Sequence, residues 1–219
     1  MRDAPGVLHP RTFPVIFAAP SGAGKTTIAR ELIARRSDVN FSISATTRAP
    51  RQGERDGVDY FFRSEEQFRQ MITAGELLEW AQVHGQLYGT PTMNLELARS
   101  RQHFLLLDID VQGSRQVKKV APEAVSIFVL PPSGTELSKR LIGRGSEDAS
   151  VRRRRLLGAR EEIAAALEFD YVVVNDDLAS AVRAVETILE AECRRTSRYE
   201  TLDKHVADLI GSVDRILAE

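Results

Sequence analysis

Residues 15–27, VIFAAPSGAGKTT, constrain this chain more than any other stretch. The apolar run Val15-Ile16-Phe17-Ala18 passes directly into a small, glycine-bearing turn and then Lys25-Thr26-Thr27. Ile28, Leu32 and Ile33 follow at helical spacing. Strand, phosphate-sized loop, lysine, hydroxyl and helix is the anatomy of a P-loop. Its backbone N–H groups and helix start are expected to hold nucleotide phosphates through Ser21, Gly22, Ala23, Gly24, Lys25, Thr26 and Thr27. Lys25 is expected to reach the β- and γ-phosphates, and the Thr26 hydroxyl to take a position on Mg2+. The pattern departs from the motif at its first glycine, which here is Ala19. Alanine is strained there if φ must be positive and serves well if only a small side chain is required.

A chain of 219 residues can bury one full core with subdomain insertions. The formal net charge is −1, so the overall charge points to neither nucleic acid nor membrane as a partner. A single cysteine, Cys193, excludes an internal disulfide, and a reducing, cytoplasmic setting is expected. His9, His84, His103 and His205 lack metal-ligand spacing, and no apolar run is long enough to cross a membrane. Residues 1–12, with Pro5 and Pro10, read as a loose leader rather than a signal peptide.

Past the first helix, residues 41–44 alternate and read as a strand end. From residue 44 the chain turns polar, broken by Pro50, Gly53 and Gly57, before the aromatic run Tyr60-Phe61-Phe62. Ser64 and Gln67 form a capping box for a helix burying Phe68, Met71 and Ile72, which Gly75 stops. Residues 77–83 and 86–88 read as a hairpin around His84-Gly85, and Pro91 opens another helix. Residues 44–92 are thus a strand-rich insert. Buried strands are expected at 104–107, 125–130 and 171–174, alternating with helices, which predicts an α/β fold with a doubly wound parallel sheet. In the tail, Val206, Leu209, Ile210, Val213, Ile216 and Leu217 recur at helical spacing, a stripe that usually packs on its own domain and less often on a partner.

Asp108 ends a buried strand and suits a magnesium-side role, although strand-end carboxylates such as Asp108 and Asp110 also cap the next helix. Arg48 and Arg51, with Tyr60 and Tyr88, supply guanidinium forks and phenolic donors for a phosphate monoester, or else form a solvated basic turn. Glu79 stands between Leu78 and Trp80 in an apolar run. A carboxylate there can accept from N1–H and the 2-amino group of guanine, donors that adenine lacks, with Ser44 and Thr90 completing the pocket. Alternatively Glu79 is an outward residue of a hairpin strand. The arginine-dense residues 140–155, with Gly143 and Gly145 as flexible points, read as a lid closing over transferring phosphate. Of Arg152–Arg155 only one or two can face inward.

The strings SATTRAPRQGERDGVDYFF, EWAQVHGQLYGTP, LLLDIDVQG, SIFVLPPS, RLIGRG and VVVNDDL, in that order, resemble the guanylate kinase family over residues 13–197. The resemblance implies a P-loop nucleoside monophosphate kinase fold and the reaction ATP + GMP ⇌ ADP + GDP with Mg2+. Residues 13–43, 93–139 and 168–198 would form the core, 44–92 a GMP-binding subdomain, 140–167 the lid and 199–219 a helical tail outside the resemblance. Carried over by position, Ser44, Arg48, Arg51, Tyr60, Glu79, Tyr88, Thr90 and Asp110 match the GMP set. Lys25, Arg48, Arg144 and Arg155 match the catalytic set. Arg140, Arg144 and Asn175 match the ATP side, and Thr26 and Asp108 are the metal candidates. Besides Ala19, Leu87 departs from a tyrosine often found before Tyr88. The oligomeric expectation is monomer or homodimer, with a tail able to self-associate. Three rivals stand beside this reading. A kinase for another phosphorylated acceptor has no use for Glu79 with Ser44 and Thr90. A binding module without turnover, a different class, should have lost Lys25 or the lid arginines. Nucleic-acid binding through the lid arginines is disfavoured by the near-zero net charge and the lack of interleaved aromatics.

Overall fold

The computed structural model describes residues 8–83, 85–142 and 149–219. The chain opens with β1 (Pro14–Ala18), α1 (Lys25–Arg35), β2 (Val39–Phe41), β3 (Ala45–Thr46) and β4 (Phe61–Phe62). Next come α2 (Glu65–Thr73), β5 (Leu77–Val83), β6 (Gln86–Pro91), α3 (Thr92–Ser100) and β7 (Phe104–Asp108). α4 (Val111–Val120), β8 (Val125–Leu130), α5 (Gly134–Ile142) and α6 (Ala149–Ala164) follow. β9 (Tyr171–Val174), α7 (Leu178–Cys193) and α8 (Leu202–Leu217) complete the chain.

A five-stranded parallel sheet in the order β2-β7-β1-β8-β9 forms the frame. Alternation along β1 feeds two cores: Val15 and Phe17 pack with Ile28, Leu32 and Val182 on the α1/α7 face, while Ile16 packs with Leu95, Leu107 and Val117 on the α3/α4 face. Burying each such side chain contributes about 1.5–3 kcal/mol. Because β1 and β7 are parallel neighbours near the middle of the sheet, their carboxyl ends lie side by side at the edge where ligands of open α/β sheets bind. A second, four-stranded sheet in the order β4-β3-β6-β5 forms the insert around Ala45, Phe68 and Leu87. Its helix α2 starts on the expected capping box, Gln67 N donating to Ser64 Oγ at 3.1 Å and Ser64 N to Gln67 Oε1 at 2.9 Å.

Three expectations need correction. The strand expected over residues 41–44 ends at Phe41; Ser42 N still donates to Leu106 O at 2.9 Å, and the chain then crosses to β3 of the second sheet. β9 is not buried on both faces: it is an edge strand, with Val172 and Val174 about half exposed and Val173 alone inside. The tail stripe does not pack on its own domain. α8 forms, but none of its residues is buried. Its base is fastened nonetheless. The Arg198 guanidinium lies 4.0 Å over the Phe13 ring and donates to Glu192 Oε2 and Glu123 O, both at 2.9 Å. The described part of the leader is also tied down, since Pro10 bridges Tyr199 and Arg11 N donates to Arg198 O at 2.7 Å. Among the described residues no helix is long and apolar enough to cross a membrane.

Candidate functional site

The loop after β1 reverses through two left-handed glycines, Gly22 (φ 88°) and Gly24 (φ 94°), and Ala23 N closes it on Pro20 O at 3.0 Å. Ala19 does not share that backbone region, for Gln102 is the one non-glycine residue with positive φ among those described. Alanine is therefore unstrained at position 19, and it packs against the core. Gly24 caps α1 without any side-chain acceptor, and the first turn of α1 carries no acidic residue; Thr27 N already donates to Gly24 O at 3.0 Å, and the helix start directs its dipole at an anion. A Cβ on Gly24 would stand 2.2 Å from Asn175 Nδ2. The loop needs that close approach because Nδ2 donates to Ala23 O at 2.7 Å, and Arg140 reaches the same carbonyl and Asn175 O, both at 3.4 Å.

Beyond the loop the two strand-end carboxylates divide their work. Asp108 Oδ1 holds Lys25 Nζ at 2.6 Å, and Asp108 Oδ2 accepts from Thr26 Oγ1 at 3.3 Å. Lys25 Nζ also donates to Ile109 O at 3.0 Å. Asp110 instead caps α4, accepting from Gly113 N at 2.7 Å. Thus the capping alternative describes Asp110 and not Asp108. Thr26 and Asp108 present two hard oxygens side by side, a donor set that fits Mg2+ completed by phosphate oxygens and water.

The insert meets this site through β5. Gln116 of α4 clamps the Trp80 backbone, accepting from its N–H at 3.1 Å and donating to its carbonyl at 2.9 Å. A register shift between Leu77 and Glu79 puts Leu78 and Glu79 both inside, Leu78 in the core and Glu79 toward α4. Such bulges re-aim side chains, and the outward alternative for Glu79 is excluded by its 7% exposure. Glu79 Oε1 accepts from Thr90 Oγ1 at 2.7 Å, and Oε2 lies so near Gly113 that a Cβ there would stand 3.0 Å away. Burial pushes the Glu79 carboxyl above its usual range; the Thr90 hydrogen bond opposes this and the Asp110 charge adds to it. Ser44, just before β3, is half-buried, its carbonyl accepting from Phe61 N at 2.9 Å.

Arg48 lies 5.2 Å over the Tyr60 ring, whose centroid is 6.3 Å from that of Tyr88. The Glu54 carboxylate grips Arg48 bidentately at 2.9 and 3.0 Å and also accepts from Arg51 N at 2.7 Å. This pairing holds Glu54 below the ordinary carboxylate range and raises Arg48. Sequence reasoning missed Glu54, whose signal was its place three residues after Arg51. Arg51 itself is exposed. Leu87 is buried against Ala45 and Phe68, so a tyrosine there would meet the hydrophobic cluster.

On the lid side, Arg155 Nη1 donates to Leu141 O at 3.3 Å, while Arg153 and Arg154 are exposed. Arg144, Gly143, Gly145 and His84 lie outside the described residues, as does the Arg152 side chain. A second residue that sequence reasoning missed is Glu162 of α6. Its Oε2 accepts from Ser21 N at 3.3 Å, a carboxylate standing at a P-loop amide.

The profile of the family described as "Guanylate kinase" matches residues 11–192. A guanylate kinase of Clostridioides difficile (strain 630) is 43% identical over 188 residues, 86% of this chain and 92% of that protein. One from Symbiobacterium thermophilum is 46% identical over 189 residues, covering 86% and 90%. The crystal structure of guanylate kinase from Anaplasma phagocytophilum superposes with a TM-score of 0.74 at 34% identity, covering 92% of this chain and 96% of that one.

Proposed function

Since the chain belongs to the guanylate kinase family, we propose that it transfers the γ-phosphoryl group of ATP to GMP through the residues gathered at this site. The observation that carries the assignment is the buried Glu79–Thr90 pair facing α4, whose cap Asp110 follows the Lys25–Asp108–Thr26 cluster within two residues. An acceptor-only carboxylate in a dry pocket selects a base edge that carries two adjacent donors, which is guanine. Arg48, Arg51, Tyr60 and Tyr88 hold the GMP phosphate, with Glu54 setting the Arg48 fork in place.

In the transfer, an oxygen of the GMP phosphate forms a bond to the γ-phosphorus. The bridging β–γ bond breaks, and its electron pair remains on the β-phosphate oxygen of ADP. Transfer between two anions depends on positioning and charge stabilisation, so the protein supplies no nucleophile. Lys25 leaves Asp108 for the β- and γ-phosphates, and the amides from Ser21 to Thr27 turn toward their oxygens. Thr26 and Asp108 would hold Mg2+, which when bound would supply charge neutralisation to the transferring phosphates. Arg140 and Asn175 fix the loop on the ATP side, and Arg144 and Arg155 bring further positive charge from the lid segment, residues 140–167. Closure of that segment and of residues 44–92 over both nucleotides excludes water. X-ray scattering should therefore show a more compact particle with GMP and a non-hydrolysable ATP analogue, and unchanged profiles would refute closure. The role of Lys25 is tested by Lys25→Met, which should lower kcat by roughly 10²–10³-fold or more while calorimetric GMP binding persists.

A further inference from the structure

The second sheet ends at β5, so the outward backbone groups of that strand have no further strand to pair with. At Trp80 a side chain takes that place. Gln116 Oε1 accepts from Trp80 N at 3.1 Å, and Gln116 Nε2 donates to Trp80 O at 2.9 Å. One amide thus pairs both backbone groups of one residue, as a neighbouring strand would. The contact joins the insert to the core, because β5 belongs to the second sheet while Val117 of α4 lies in the main core.

The place of this clamp gives it a consequence for recognition. Trp80 follows Glu79 directly, and β5 carries a register shift between Leu77 and Glu79. Glu79 lies inside at 7% exposure, while Trp80 lies outside at 40%. Side chains alternate across a strand, so a slip of one residue would exchange the two. Within the sheet, β6 opposes such a slip from one side only, and its Thr90 fixes Glu79 Oε1 at 2.7 Å. From the other side α4 leaves room for Glu79 Oε2 at Gly113 and, three residues on, grips the adjoining backbone through Gln116. We infer that Gln116 is a positioning residue for guanine recognition: by tying the Trp80 backbone to α4, it holds the Glu79 carboxylate between Thr90 and Gly113. This rests on the reading of Glu79 as the group that meets the base.

Gln116→Met keeps the length and bulk of the side chain and removes both hydrogen bonds. KM for GMP should rise roughly 5–20-fold, while kcat and KM for ATP stay within about twofold of the parent, which also shows that the variant is folded. The decisive comparison is made in a Glu79→Gln background. There Gln116→Met should change kcat/KM for GMP by less than about twofold, because the clamp has no carboxylate left to place. A KM for GMP within twofold of the parent in Gln116→Met overturns the inference. So does an equal loss in both backgrounds, which would show that Gln116 acts on the fold and not through Glu79. If Glu79→Gln alone leaves kcat/KM for GMP intact, the base reading itself falls and the inference falls with it.

Discussion

Thr90 Oγ1 donates to Glu79 Oε1 at 2.7 Å, and both residues are at least nine-tenths buried. The hydroxyl fixes one carboxylate oxygen and leaves the remaining lone pairs for a ligand. Burial holds this carboxyl above its ordinary value of 4.5. A group of this kind binds more protons folded than unfolded, so it weakens the fold as pH rises from 4.5 through its raised value. Glu79→Gln removes that loss, and the ligand-free variant should melt no lower than the parent at pH 7. GMP, by contrast, needs the ionised form. The variant should lose about 10²-fold or more in kcat/KM for GMP, because an amide turns a donor toward guanine donors. In the parent alone, KM for GMP should climb as pH falls through the raised Glu79 value. A parent and variant with parallel pH profiles would remove Glu79 from the guanine site.

Ala19→Gly restores the motif glycine at a position whose backbone is not left-handed. The change frees the unfolded chain without relieving any strain, so stability should fall by about 0.4–1 kcal/mol. KM for ATP should stay within about twofold. A large gain in ATP affinity would show that alanine obstructs the loop.

Gly24→Ala has the opposite character. A φ of 94° costs an alanine about 1–2 kcal/mol, and its Cβ would also drive Asn175 Nδ2 off Ala23 O. With the lost buried hydrogen bond, a total near 2–4 kcal/mol is expected, read as a melting temperature lowered by roughly 5–15 °C. ATP turnover should fall with it. Asn175→Ala tests the same contact from the other side: it removes the clashing amide, so the doubly substituted protein should lose less than the sum of the two single changes.

Much of this arrangement was legible because local chemistry and global fold agree. The P-loop reads directly, since residues 15–18 are apolar, the turn carries its glycines and α1 begins at Lys25. Ser64 and Gln67 announce α2 by a mechanism contained within four residues. What stayed hidden depends on distant contacts. The oddness of Glu79 was visible, but its inward aim comes from a register shift between β5 and β6 and from the room that Gly113 leaves on α4. Glu162 reaches Ser21 across 141 positions, which no local pattern records. β9 reads as buried because its four residues include three valines, yet its place at the sheet edge follows from strand order. Likewise the periodicity of α8 predicts a helix with an apolar face and says nothing of what that face meets.

The most direct measurement is coupled ADP release from ATP and Mg2+ with GMP, AMP, UMP and CMP offered separately at equal concentration. GMP should sustain turnover at least about 10²-fold faster than AMP, because the Glu79 carboxylate has two guanine donors to accept from and no such pair in adenine. Comparable rates with GMP and AMP would contradict base reading by Glu79 and Thr90, and silence with all four would contradict phosphoryl transfer to a nucleotide at this site.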